Sequence, residues 1–440
     1  MIQVLILLQV LLLFNLIIFV HELGHFWAAR WRGMKVEKFG LWFGRPIWKK
    51  TYNGVEYSVG WIPAGGFVSL PEMNPMDTLE GKSSQPSASA KPLDKAIVAF
   101  AGPLASVTLA IALATIVWII GKPTSVSEVD NTIGFVEPSS PAAAAGIKPG
   151  DKILKINNTP ITGFAGLTNA KHSVVWNIAN GGPRVELLVS RNNVEHSFSI
   201  ESDSATAAWY QRKPLRQIGV RPVQPVQVLE VEKNSPAEAA GIVAGDKITK
   251  ADGVPILSPF ALDNAIKTAN NNILVTINRN GKELEKDINV GESKKLGIRL
   301  DPSAGVITTY PTPLASVLGS ATTLWITIKA LISPTSEIKL QHMSGPVGIL
   351  RIYYILFEQA DGWKLAIYFS VILNINLALF NLLPLPVLDG GHIALSAMEA
   401  ARRKNLNKRV LAGIQTSCAL LLIAFMLYIT LYDVVSIFVD

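Results

Sequence analysis

Long apolar runs alternate with polar stretches along the chain, and the runs set its frame. About Ile2–Trp27, Leu93–Ile120, Leu365–Leu388 and Val410–Phe438 are each longer than the roughly 20 apolar residues a helical membrane span needs, so each predicts a transmembrane helix. A further stretch, Pro313–Ser333, is about long enough, but its pattern differs. Leu314, Val317, Leu318, Ala321, Leu324, Trp325, Ile328, Leu331 and Ile332 form one stripe at helical spacing, and Ser316, Ser320, Thr323 and Thr327 interrupt the rest. That pattern predicts a helix lying along a membrane surface.

Charge orients the spans. Arg30, Arg32, Lys35, Lys38, Arg45, Lys49 and Lys50 crowd behind the first run, and Arg402, Arg403, Lys404, Lys408 and Arg409 precede the fourth. Both clusters abut apolar runs, so the positive-inside rule explains them better than a nucleic-acid patch does. The loops 30–92 and 390–409 are then expected in the cytoplasm, and 121–363 outside. The N-terminus has no basic leader region and no small-residue cleavage site before the first polar cluster, so its run is expected to be retained. With 49% hydrophobic and 17% charged residues over 440 positions, the chain suits a membrane protein carrying soluble parts. Its one cysteine, Cys418, lies in an apolar run, which excludes an internal disulfide and a cysteine-based zinc knuckle.

The outer region contains a repeat. Ser140–Ile161 (SPAAAAGIKPGDKILKINNTPI) and Ser235–Ile256 (SPAEAAGIVAGDKITKADGVPI) match at 14 of 22 positions. Each looks like part of a PDZ domain: a short helix, a Gly-Asp turn into a strand, and a second strand ending at proline. Each closes with a similar strand, at 217–222 and 296–300. Residues 201–214 are an extra excursion in the first copy. Such domains can add a peptide strand to a sheet edge, or the pair can act as a lid or spacer; both readings stay open here.

The candidate chemistry sits at the end of the first run, NLIIFVHELGHFWAARW (Asn15–Trp31). Ionisable groups are costly in a bilayer and mark functional sites there; the plainer alternative is a helix end at the interface. In a helix His21 and His25 share a face and can hold one divalent metal, with zinc the usual occupant. Glu22 is poorly placed as a third ligand. It can instead take a proton from a water that zinc has acidified, which is the logic of H-E-x-x-H. A third protein ligand is needed. His172, His196 and His342 fall on the outer side, leaving Asp389 and His392 of NLLPLPVLDGGH (Asn381–His392). Pro384 and Pro386 interrupt a helix, so an extended or kinked segment is expected to aim Asp389 back toward the core, directly before a Gly390-Gly391 turn. His392 is expected to pack or to support. Topology agrees: His21 and Asp389 reach the same side only if Pro313–Ser333 does not span.

HELGH, AGPLAS (101–106) and NLALFNLLPLPVLDGG (376–391) together resemble the site-2 protease family of intramembrane zinc metalloproteases, and the tandem repeats resemble its bacterial RseP-type subgroup. The resemblance covers essentially the whole chain. It implies a multi-pass α-helical membrane protein with four transmembrane helices and two tandem PDZ-like α+β domains between spans two and three. The expected segments are 1–120 (spans one and two with a cytoplasmic β-loop), 124–223 and 224–303 (PDZ-like), 304–362 (amphipathic surface helices) and 363–440 (spans three and four). It implies zinc held by His21, His25 and Asp389, with Glu22 as catalytic base. Asn376 would hold substrate backbone or an oxyanion, and Asn381 would support the kinked segment. The stretch 56–70 resembles the family's membrane-associated β-structure, where Gly65 and Gly66 suit a strand edge that clamps an extended substrate; a re-entrant anchor is the alternative. The family commonly has asparagine where Ser106 stands. The implied activity is endoproteolysis, within the bacterial inner membrane, of single-span substrates such as anti-sigma factors or remnant signal peptides. The implied partners are those substrates and the lipid bilayer, not nucleic acid, with a monomer expected. A non-catalytic scaffold would not need Glu22, and a metal carrier would want further intramembrane ligands.

Overall fold

The computed structural model describes residues 2–73, 90–202, 207–208, 210–403 and 408–439. Part of the polar stretch 71–92, part of the 201–214 excursion and Lys404 of the second basic cluster lie outside the described residues.

Five of the described helices are long and apolar enough to cross a membrane: Gln3–Trp31, Pro92–Ile120, Pro313–Ile332, Gly362–Asn381 and Val410–Phe438. In full, the long helices are α1 (Ile2–Trp31), α2 (Pro92–Ile120), α3 (Pro313–Ile332), α4 (Pro346–Glu358), α5 (Gly362–Asn381), α6 (Asp389–Arg402) and α7 (Lys408–Val439). The third apolar run is therefore helical only to Asn381, not to Leu388. Leu382–Leu388 is a turn, because Pro384 and Pro386 cannot continue the ladder. The expected Gly390-Gly391 turn is also corrected: Asp389 opens α6, and both glycines lie in its first turn.

α2 is the hub, packing against α1, α5 and α6. Gly24 of α1 allows the first crossing, since a side chain there would strike the Ala101 carbonyl. α4 packs against α1 and α5 through Ile6, Val10, Tyr353, Phe369 and Ile372, and the Tyr353 hydroxyl meets Ser370 Oγ at 2.6 Å.

Between α1 and α2 runs a β-ribbon of β1 (Lys38–Tyr52) and β2 (Val55–Ser69), turned at Asn53-Gly54 with both residues at positive φ. Lys38–Leu41 pairs on one side with Glu56–Val59 and on the other with Gly66–Ser69. Ile47, Trp48, Tyr52 and Trp61 are exposed along the ribbon.

Residues 121–309 form sheet regions consistent with two PDZ-like domains. The repeated segments give matching pieces: helices Pro141–Ala144 and Pro236–Ala239 are each capped by the preceding serine, and strands Lys152–Ile156 and Lys247–Ala251 follow. In each, a buried aspartate takes two bonds from one arginine, Asp151 from Arg191 and Asp246 from Arg279. That arginine also donates to a glycine carbonyl at the end of the short helix, Gly146 or Gly241. The repeat thus encodes one tie that closes each core.

α3 presses a mixed face on the protein, with Val317 and Ala321 of the apolar stripe packed beside Ala110 of α2 and Ile375 of α5. Its buried residues are Ser316, Ser320, Leu324 and Ala330, while Leu314, Leu318, Trp325 and Ile332 are exposed. The serines bond to carbonyls one turn back, and a side chain at Gly319 would meet the Thr168 carbonyl. Before α3, strand Val306–Thr309 pairs with Lys122–Ser125, directly after α2. At its far end Ala330 packs with Ala179 of the first PDZ-like domain.

Candidate metal centre and active site

His21 and His25 sit four apart on α1 and face α2, whose Val98, Gly102 and Ser106 are likewise spaced by four. The Nδ1 of His25 is 2.8 Å from the Val98 carbonyl, and the Nδ1 of His21 is 3.0 Å from Ser106 Oγ. A carbonyl only accepts, so His25 carries its proton on Nδ1 and its Nε2 lone pair is free. Ser106 holds His21 in the same manner, as outer hydrogen bonds to metal-binding histidines do. Between these two contacts stands Gly102. Any side chain there would collide with His25 Nε2 and come within 2.9 Å of His21 Nε2.

Asp389 arrives from the start of α6. Gly390 and Gly391 let that first turn press on the preceding loop, because a side chain at either would strike the carbonyl of Leu382 or Leu385. The half-buried pair Lys95–Glu399, at 3.0 Å, fastens α6 to α2.

The three side chains converge. His21 Nε2 and His25 Nε2 are 3.3 Å apart, Asp389 Oδ2 is 3.2 Å from His21 Nε2, and Asp389 Oδ1 is 3.4 Å from His25 Nε2. Bonds of about 2.0–2.1 Å to a tetrahedral zinc place neighbouring ligand atoms roughly 3.3–3.4 Å apart. The donor set and its triangle therefore fit zinc.

These atoms line a cavity of about 460 Å³. Glu22 lines it too, beside Gly66; a side chain at that glycine would lie 3.0 Å from Glu22 Cγ. The ribbon segment Gly66–Val68 forms part of the wall, and among the described residues no strand pairs with its far edge. Gly65 has φ +78 and shapes the ribbon just before it. Asn381 reaches the cavity, its Nδ2 3.1 Å from His21 Nε2. Asn376 does not line it, and its Oδ1 is buried with no partner among the described residues. His392 lines the cavity, with burial holding its imidazole below the ordinary value. The turn Pro386–Leu388 and α7, through Gln415, Thr416 and Ala419, complete the wall. The sequence reading gave no role to Gln415; its one signal was an amide in an apolar run. The partner of Ser106 had no signal at all.

The Ser106 contact carries an expected outcome. Ser106→Ala should weaken zinc binding by about 10–100-fold, the usual loss for an outer partner of a metal-binding histidine. Competition against a fluorescent chelator measures it, and Ser106→Asn should restore most of the affinity.

The sequence profile of peptidase family M50 matches residues 9–425. A Neisseria meningitidis protein bearing a zinc-metalloprotease name is 31% identical over 90% of this chain and 91% of its own length. The regulator of sigma E protease of Haemophilus influenzae is 29% identical over 94% of each chain, and the regulator of sigma-E protease RseP of Escherichia coli is 28% identical over 90% and 91%. A chain matched nearly end to end, with spanning helices and a His-His-Asp cluster that fits zinc, belongs to peptidase family M50 and is a zinc metalloprotease of the RseP-like, site-2 protease kind.

Proposed function

We propose that this protein is an intramembrane endopeptidase that cuts the membrane-spanning segment of single-span proteins, close to the cytoplasmic side. The single observation that carries the reading is the meeting of His21, His25 and Asp389 from two distant elements in one cavity that Glu22 shares.

His21, His25 and Asp389 would hold zinc, which when bound would supply a Lewis acid that acidifies water and polarises a carbonyl. Glu22 takes the proton of the attacking water and hands it to the departing amine. Asn381 stands beside the metal position and donates to the developing oxyanion, while Asn376, away from the cavity, supports helix packing. The two roles are thus exchanged relative to the expectation drawn from the resemblance. A helical substrate hides its peptide bonds in its own ladder, so it must unwind first. The free edge at Gly66–Val68 accepts the unwound strand as an added β-strand.

Four helices cross the membrane: α1, α2, α5 and α7. α3 lies along the outer surface: the strand that leads into it pairs with the strand after α2, and its far end packs on the first PDZ-like domain. Its exposed Leu314, Leu318, Trp325 and Ile332 then face lipid. The PDZ-like domains stand in the periplasm of a bacterial inner-membrane protein and exclude substrates with bulky outer domains. The relatives' names, regulators of sigma E, support anti-sigma factors as substrates, already trimmed outside, with remnant signal peptides as a second substrate class of the same single-span kind.

The test is cleavage of a single-span substrate by the purified chain in vesicles. The expected result is a cut inside the apolar segment that stops on chelation and returns with zinc. A cut in the flanking soluble region, or cleavage that survives chelation, would overturn the reading.

A further inference from the structure

We infer that Gln415 of α7 binds substrate backbone in the catalytic cavity; the inference rests on the endopeptidase reading above. Gln415 is 8% exposed and lines the same cavity as His21, Glu22, His25 and Asp389. Its Nε2 makes one long contact, 3.4 Å to the Pro386 carbonyl, and its Oε1 is buried with no partner among the described residues. A buried amide oxygen left unpaired is costly. Such a group persists in an apolar helix where a ligand supplies the partner.

The cavity must receive an extended peptide whose own ladder has opened. Each peptide unit then needs an acceptor for its N–H and a donor for its carbonyl. The ribbon edge at Gly66–Val68 serves one side of the strand with main-chain groups. Gln415 stands on a different element and offers both an acceptor and donors. Its terminal torsion is broad, so the weakly held carboxamide turns to meet a peptide group. The bond it gives up to Pro386 is long and therefore weak. α7 thus contributes recognition as well as a wall: it holds the unwound segment while Glu22 and the metal act on the bond.

The experiment uses the full chain in vesicles with a single-span substrate. Gln415→Met keeps side-chain length and apolar packing but removes the amide. Expected are a rise of about 10-fold or more in KM, a smaller change in kcat, full zinc content and unchanged affinity for acetohydroxamate, which is too small to reach α7. Gln415→Asn should recover part of the loss. In a Glu22→Gln, Cys418→Ala background, Gln415→Cys should form a disulfide with substrate cysteines placed within a few residues of the cut, and not with cysteines a helical turn or more beyond. Kinetics within two-fold of wild type, zinc loss in Gln415→Met, or no position-specific disulfide would each overturn the inference. Zinc loss would show instead that Gln415 acts by holding the Pro386 turn and so Asp389. If wild type itself fails to cut, the endopeptidase reading falls first; if wild type cuts and Gln415→Met cuts equally well, only the inference falls.

Discussion

Glu22→Gln should abolish peptide-bond cleavage while leaving zinc in place. Glu22 is not among the three side chains whose donor atoms converge; it lines the cavity beside them. The substitution keeps size and hydrogen bonding and removes only the ability to take a proton. Loss of a general base commonly lowers rate by 10²–10⁴, so turnover should fall by about 10³-fold or more, on the order of 4 kcal/mol in the barrier. Metal analysis of the purified variant should give the wild-type zinc content, and substrate should still co-purify. Appreciable cutting by Glu22→Gln would remove Glu22 from the chemistry; loss of zinc would make it a ligand.

The second large effect is expected at a glycine. Gly102→Ala would put a methyl against both Nε2 atoms. α2 cannot withdraw cheaply, because Gly24 of α1 already rides on the Ala101 carbonyl and Lys95 is tied to Glu399. The imidazoles must swing aside and give up Val98 and Ser106. The variant should purify without zinc and without activity, although the PDZ-like domains stay folded by hydrogen exchange. Gly413→Ala is the control, since nothing lies within 4 Å of a side chain there; it should keep both. Full zinc occupancy in Gly102→Ala would mean that the histidines do not meet the metal along α2.

Much of this was legible from residues alone, for identifiable reasons. Hydropathy marks the long helices because lipid and core ask for similar side chains. The repeat shows itself by self-similarity, and His21 and His25 are read from helical spacing, a local property. The remainder depended on contacts between distant elements. That Asp389 opens a helix follows from Gly390 and Gly391 pressing on Leu382 and Leu385, which no local pattern reveals. Asn376 and Asn381 stand five residues apart on α5, about 140° round it and about 7.5 Å along it, and that offset keeps one out of the cavity. Ser106 is a common residue in membrane helices until His21 is placed beside it. The stripe on α3 was visible, yet only packing shows that Ser316 and Ser320 are buried together with Leu324 of that stripe.

Asp433, near the end of α7, is almost fully buried, and three groups converge on it: Arg212 from the first PDZ-like domain at 2.6 Å, and the amides of Gly345 and Gly348 at the start of α4, each at 2.9 Å. Arg212 lies 221 positions earlier in the chain. Burying that carboxylate without its partners would be strongly unfavourable, so the seat of α7 depends on the first PDZ-like domain and on α4 together. The helix that lends Gln415 to the cavity wall is thus moored to the first PDZ-like domain, and a change that loosens that domain is transmitted to the proteolytic chamber.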